Sequence, residues 1–237
     1  MRLLVTGAAN GIGAAVVREA LDRGWQVAGL DRVPARDGLD AVLTADLADE
    51  RSTLAAFEQL DEVWPEGPTA VVHSAGVYQV HPTLDDTTES WDRVFRVNAR
   101  GSFLVARESA RRMRDQPGDR SIVLMSSLGA VRGDAHEPSA AYSASKGAIV
   151  SLTRQLAAEW GPYGIRVNAV SPGVIATAMT SLTDDPSAAA AFFESRVPLR
   201  RIGTAEEVAR VCLFLASGAA TYVSGAIIPV DGGTAIA

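Results

Sequence analysis

Short β-branched runs alternate with longer helical patterns along almost the whole chain, and that alternation constrains the fold more than any single motif. A strand, a crossover helix and a second strand make a βαβ unit, and repeated units build a parallel sheet. The apolar runs predict strands over 2–6, 25–30, 41–44, 69–73, 120–126, 165–170 and 226–230, with helices over 12–23, 50–62, 88–114, 141–160 and 204–216. Right-handed crossovers then place helices on both faces of a seven-stranded sheet. No repeat, low-complexity tract or Pro/Gly-rich linker divides the chain, so residues 1–237 are expected to form one domain.

Two places break the rhythm. Between Leu30 and Ala41 the sequence is short and is interrupted by Pro34 and Gly38, which predicts a loop in place of a crossover helix. The stretch 178–200 is rich in Ala, Ser and Thr, carries Phe192 and Phe193, and holds one short helical pattern. A long irregular segment of that kind is expected to act as a lid or binding loop.

Composition narrows the function by exclusion. The net charge of −6 argues against a general nucleic-acid or anionic-membrane surface, which needs clustered Lys and Arg. Cys212 is the one cysteine and sits in an apolar helical pattern, so it reads as a core residue. His73, His81 and His136 lack any Cys partner at ligand spacing, and no metal site is expected. The first residues run straight into a strand and no apolar run reaches spanning length, which predicts no signal peptide, no membrane segment and a cytoplasmic setting.

Gly7, Gly11 and Gly13, with Asn10 and Ile12 among them, fall where the first strand turns into the first helix. Glycine suits a tight turn that must let a diphosphate approach backbone, and the helix N-terminus beyond offers free N–H groups to phosphate. Asp31 ends the second strand twenty residues after Gly11, where a carboxylate can accept the hydroxyls of the adenosine ribose. The same carboxylate repels the 2′-phosphate of NADP, so NAD is the expected cofactor. Arg32 is the competing signal, since a guanidinium there could grip that phosphate.

Tyr142 and Lys146 are four apart on a helical pattern and share one face. A phenol with a pKa near 10 is a poor base at neutral pH, and the adjacent ammonium is expected to lower it. That would make Tyr142 a proton acceptor for an alcohol or a donor to a carbonyl.

Together, Thr6-Gly7-Ala-Ala-Asn-Gly11-Ile-Gly13 and Tyr142-Ser-Ala-Ser-Lys146 resemble the motifs of the short-chain dehydrogenase/reductase family, and the resemblance covers nearly the whole chain. It implies a single Rossmann-like doubly wound domain. It also implies that Asp46 and Leu47 meet the adenine ring, and that Ala75 and Gly76 let backbone pass close to the cofactor. His73-Ser74 stands where the family usually has two asparagines, and His73 is read as structural. By the same resemblance Ser127, and not Ser126, polarises the substrate oxygen, although the interval to Tyr142 is slightly longer than usual. Asn98 would hold a water against Lys146. Pro172, Gly173, Ile175 and Thr177 would meet the nicotinamide, and Tyr142 and Lys146 would touch it as well.

The expected activity is hydride transfer between NAD(H) and a secondary alcohol or ketone, with Tyr142 as general acid/base. An NADPH-dependent 3-ketoacyl or ketone reductase is the alternative within the family. A dinucleotide-sensing regulator is the alternative of another class, and retention of Tyr142 and Lys146 argues against it. Candidate substrate contacts are Val77–Pro82, Leu128–His136 and the 178–200 lid. Apolar positions such as Phe103, Val105 and Ala106, or Ala148, Ile149, Leu152 and Leu156, exceed what one sheet-facing stripe needs. They predict a helix-bundle contact between subunits, and the resemblance implies a homotetramer built as a dimer of dimers.

Overall fold

The computed structural model describes residues 1–35, 38–135, 137–180 and 186–237. His136, residues 36–37 of the expected loop and 181–185 of the expected lid lie outside the described residues. Seven strands form one sheet: β1 (Arg2–Thr6), β2 (Gln26–Asp31), β3 (Ala41–Thr44), β4 (Ala70–His73), β5 (Arg120–Met125), β6 (Ile165–Pro172) and β7 (Ile227–Val230). Their order is β3-β2-β1-β4-β5-β6-β7, and every neighbouring pair is parallel. This is a Rossmann-like doubly wound α/β fold.

Strand residues alternate between two cores, as a period of two requires. Leu4, Val71, Ile122 and Leu124 point to the face covered by α2 (Glu50–Val63), α4 (Gly101–Met113) and α5 (Ala140–Trp160). There they meet Phe57, Leu60, Val105, Met113 and Ile149. Leu3, Val5, Val72, Val123 and Val170 point the other way, onto Val16, Val17 and Ala20 of α1 (Gly11–Asp22) and Val208 and Leu213 of α7 (Ala205–Ala216). Cys212 is fully buried in that second core. Both faces are covered, which is why the strands read as apolar runs and not as apolar–polar alternation.

The long helical pattern over 88–114 is not one α-helix. It divides into α3 (Thr88–Phe95), a π-helical turn (Arg96–Arg100) and α4. One extra residue in the turn disturbs the regular ladder, and the Ser102 hydroxyl donates to Asn98 O at 2.5 Å. Within the 178–200 stretch the chain forms α6 (Pro186–Arg196), and Phe193 and Val197 make a small core with Val174 and Ile202. No described helix is long and apolar enough to cross a membrane.

Strand order reverses between β1 and β4. Ligand sites of open α/β sheets lie beyond the strand ends at such a point. Thr6 and His73 pair there in register, so the glycine turn and the loop after β4 stand side by side.

Candidate active site

The turn after β1 is shaped by Gly7 and Gly11, whose φ angles are +69° and +55°. A Cβ on Gly7 would lie 2.8 Å from Ala75 N, and one on Gly13 would lie 2.0 Å from Gly7 O. The turn thus packs on itself and on the loop after β4. At Gly11 a Cβ would enter the gap facing the Thr177 methyl, 3.5 Å away, and both residues border one cavity. Asn10 makes no side-chain cap at the start of α1, leaving the helix end to other acceptors.

That cavity has a volume of about 560 Å³ and runs past Asp31, the glycine turn, Tyr142 and the start of the 178–200 stretch. Asp31 is fixed by two backbone donors, Ala9 N to Oδ2 at 3.1 Å and Arg32 N to Oδ1 at 2.6 Å. Asp46 Oδ1 accepts from Ala48 N at 2.9 Å, and Leu47 closes the wall beneath it. On the far side Pro172, Gly173, Ile175 and Thr177 border the space. Their backbone is tied down by Gly173 N donating to Val230 O, Ala176 N donating to Gly203 O, and the Thr180 hydroxyl donating to Ile175 O.

The catalytic candidates converge at the end of β5. The Ser126 hydroxyl is buried and donates to Lys146 O at 3.1 Å. Ser127 borders the cavity, accepts from Gly129 N at 3.1 Å and shares a hydrogen bond with the Tyr142 hydroxyl. Lys146 Nζ donates to Met125 O at 2.8 Å and lies 5.6 Å from the Tyr142 ring centre. Burial pulls the Lys146 ammonium down to about 8. Tyr142 goes the opposite way from the sequence expectation. Burial raises its pKa, and the Ser127 hydrogen bond offsets this in part. In the free protein the desolvation of a buried phenolate is the larger effect.

Two expected site residues do not border the cavity. Gly13 is buried behind the turn, and Asn98 lies behind Val77. The Asn98 amide clamps that backbone, accepting from Val77 N at 2.8 Å and donating to Val77 O at 2.9 Å and to Ser145 Oγ at 3.0 Å. His73 also sits behind the wall, with Nδ1 bonded to Thr6 Oγ1 at 2.8 Å. Burial, with a smaller push from Lys146, holds its pKa at about 3, so the ring is neutral.

Reasoning from the sequence placed Gly129 only within the wider 128–136 stretch and missed Glu137, Ser139, Ser143 and Thr234; all five border the cavity. At Gly129 a Cβ would stand 3.3 Å from Ser143 Oγ and 3.6 Å from both Ser127 Oγ and Tyr142 Cε1. A glycine so soon after a strand-end serine pair was the available signal. Thr234 is distant in sequence and gave none.

A family model described as enoyl-(acyl carrier protein) reductase matches residues 7–235. Galactitol 2-dehydrogenase (L-tagatose-forming) of Cereibacter sphaeroides is 37% identical, over 97% of this chain and 92% of its own. D-threitol dehydrogenase of Mycolicibacterium smegmatis is 33% identical, over 98% of this chain and 92% of its own. The crystal structure of a short-chain type dehydrogenase/reductase from Mycobacterium marinum superposes with a TM-score of 0.92 at 32% identity, covering 100% of this chain and 96% of that one. The chain belongs to the short-chain dehydrogenase/reductase family. As a short-chain enzyme it interconverts alcohols and carbonyl compounds with a nicotinamide dinucleotide. The residues present fit such a cofactor: an uncapped helix end, a glycine turn without side chains in the gap, and an anchored carboxylate lie along one cavity.

Proposed function

We propose that this short-chain enzyme moves hydride between NAD(H) and a secondary alcohol or its ketone, within one domain spanning residues 1–237. The observation that carries this reading is the Tyr142–Ser127 hydroxyl pair, with Lys146 one helical turn on, in the same cavity as Asp31 and the glycine turn. A bound nicotinamide supplies the hydride acceptor for oxidation and the donor for reduction. Ser127 donates to the substrate oxygen and holds it against Tyr142. Tyr142 accepts the alcohol proton, or returns it to the carbonyl oxygen in reduction. Lys146 stabilises the phenolate formed at that moment, which favours the charged tyrosine. Asn98 holds the Val77 backbone, and through it the wall beside Lys146; its proposed part in proton relay is to hold a water against Lys146.

The choice of NAD rests on Asp31. Its two backbone bonds fix the carboxylate and leave lone pairs for ribose hydroxyls, while its charge opposes a 2′-phosphate. Gly7, Asn10, Gly11, Ile12, Arg32, Asp46, Leu47, Ala75, Gly76, Pro172, Gly173, Ile175 and Thr177 complete the proposed cofactor contacts. Two relatives are named as dehydrogenases of galactitol and D-threitol, which supports a secondary alcohol as substrate here. The test is a screen of alcohols with NAD and with NADP, read as reduced nicotinamide formed by wild type and by Tyr142→Phe. Wild type is expected to turn over with NAD in preference to NADP. Tyr142→Phe keeps the ring and its packing, so NADH binding survives while turnover falls about 10²–10⁴-fold. Turnover by Tyr142→Phe at the wild-type rate would remove Tyr142 from the mechanism.

A further inference from the structure

The end of the cavity beside Tyr142 is walled by Val77 and Tyr78 from the loop after β4, and by residues 132–134, Glu137 and Ser139 from the loop after β5. The two loops are stapled together at two points. His81 N donates to Pro138 O at 2.7 Å, and the Tyr78 hydroxyl donates to Glu137 Oε2 at 2.9 Å. Tyr78 in turn meets Tyr142 edge-on, with ring centres 4.7 Å apart at 77°. A chain of contacts therefore fixes the Glu137 carboxylate relative to the proton-transfer group, and all three residues border the cavity.

Glu137 makes no ion pair among the described residues. Among the described residues, the other charges bordering this end of the cavity are matched or engaged: Arg196 Nη1 pairs with Asp134 Oδ2 at 2.9 Å, and Arg132 Nη1 donates to Thr234 O at 3.0 Å. Two arginines against Asp134 and Glu137 leave no net positive charge on this wall to attract a carboxylate or phosphate. An acyl chain laid along it would strip water from Glu137 and return no hydrogen bond, which is costly. A carboxylate with spare lone pairs, bordering a site for a carbinol, is served best by a hydroxyl donor.

We propose that Glu137, held by Tyr78, accepts a hydroxyl on the carbon adjacent to the reacting one, so that the substrate is a neutral vicinal diol or polyol. This rests on the secondary-alcohol reading above and adds a specificity-determining residue to it. The matched pair 2,3-butanediol and 2-butanol differs by that one hydroxyl, and NADH formation with each gives a ratio of kcat/KM. A site built to bond a hydroxyl discriminates strongly against the analogue lacking it, so wild type is expected to favour the diol by about tenfold or more. Glu137→Leu should bring the ratio close to one. Glu137→Gln keeps an acceptor oxygen but not the charge, and should fall between. NADH binding, followed by fluorescence, reports that each variant is folded, and the near-isosteric Gln variant carries the test if the Leu variant is not. An unchanged ratio in a variant that binds NADH would overturn the proposal, as would a wild type that prefers 3-hydroxybutanoate, which would make Arg132 the anchor. Equal use of 2,3-butanediol and 2-butanol by wild type would overturn the proposal and leave the secondary-alcohol reading standing. Turnover of neither, with NADH bound, would overturn the secondary-alcohol reading with it.

Discussion

At the scale of single residues, the two adjacent serines separate cleanly in their surroundings. Ser126 is buried and its hydroxyl is engaged by Lys146 O, whereas Ser127 faces the cavity and Tyr142. Ser127→Ala is expected to lower turnover by about 10²-fold with NADH binding intact. Ser126→Ala should leave turnover within a few-fold and cost about 1 kcal/mol of stability. Steady-state rates and thermal melts of the pair decide it, and an inactive Ser126→Ala would reverse the assignment. Lys146 offers a test by pH. Burial holds its ammonium at about 8 against an ordinary 10.5, so the unfolded chain binds that proton more readily. Between those two values the stability of the free protein rises with pH, and below 8 the full desolvation cost remains. The shift corresponds to an upper figure of about 3 kcal/mol. Lys146→Met should therefore raise Tm at pH 7 while abolishing turnover, and the gain should vanish above pH 10.5. Equal melts at pH 7 would remove burial as the dominant effect. The spacing of Tyr142 and Lys146 was readable in the chain. Their desolvation was not, because it depends on Ser127, Met125 and Gly129 arriving from another element.

At the scale of elements, strands and their order follow from local pattern, because each strand is buried on both faces and shows it as an apolar run. The π-helical turn inside 88–114 was not legible. Its one extra residue leaves the apolar pattern nearly in phase, and its cause is tertiary: Asn98 reaches the backbone of Val77, and Gly101 packs where a Cβ would lie 3.2 Å from Leu47 O. Glu137 was hidden for a similar reason, since its role depends on a loop beyond β4. The joint between α7 and the sheet was also invisible in sequence. Arg166 on β6 makes a two-pronged pair with Asp119, at 2.8 and 2.9 Å, and donates to Leu215 O and Ser217 O at the end of α7. It is nearly buried, so its removal strands two carbonyls, whereas the Asp119 carboxylate is exposed enough to turn to water. Arg166→Leu is expected to destabilise by about 2 kcal/mol through the unsatisfied carbonyls, seen as a lower denaturant midpoint. A loss under about 0.5 kcal/mol would show that water replaces the guanidinium there.

At the scale of the whole molecule, we propose a tetramer, and the surfaces that support it differ from those the helical pattern suggested. Val105, Ala106, Ile149 and Leu156 are buried, and Ala148 and Leu152 are half-buried, so most of the apparent surplus on α4 and α5 faces this chain's own core. Exposed large apolar side chains are spread along the chain, and four of them lie on α3, α4 and either side of β7. Trp91 on α3 and Phe103 on α4 are partly exposed, with the Arg107 guanidinium 5.2 Å from the Phe103 ring centre. Tyr222, before the edge strand β7, and Ile236, at the C-terminal end, are almost wholly exposed. A dimer of dimers needs two distinct self-complementary patches, one for each two-fold axis, and we assign one to the α3–α4 side and the other to the β7 edge. Light scattering at micromolar concentration should give a tetramer for wild type. Tyr222→Asp and Phe103→Asp should each leave a dimer, through opposite interfaces, and the double variant should be a monomer. A wild-type monomer would refute the assembly outright. A Tyr222→Asp tetramer would instead take the edge of the sheet out of the interface.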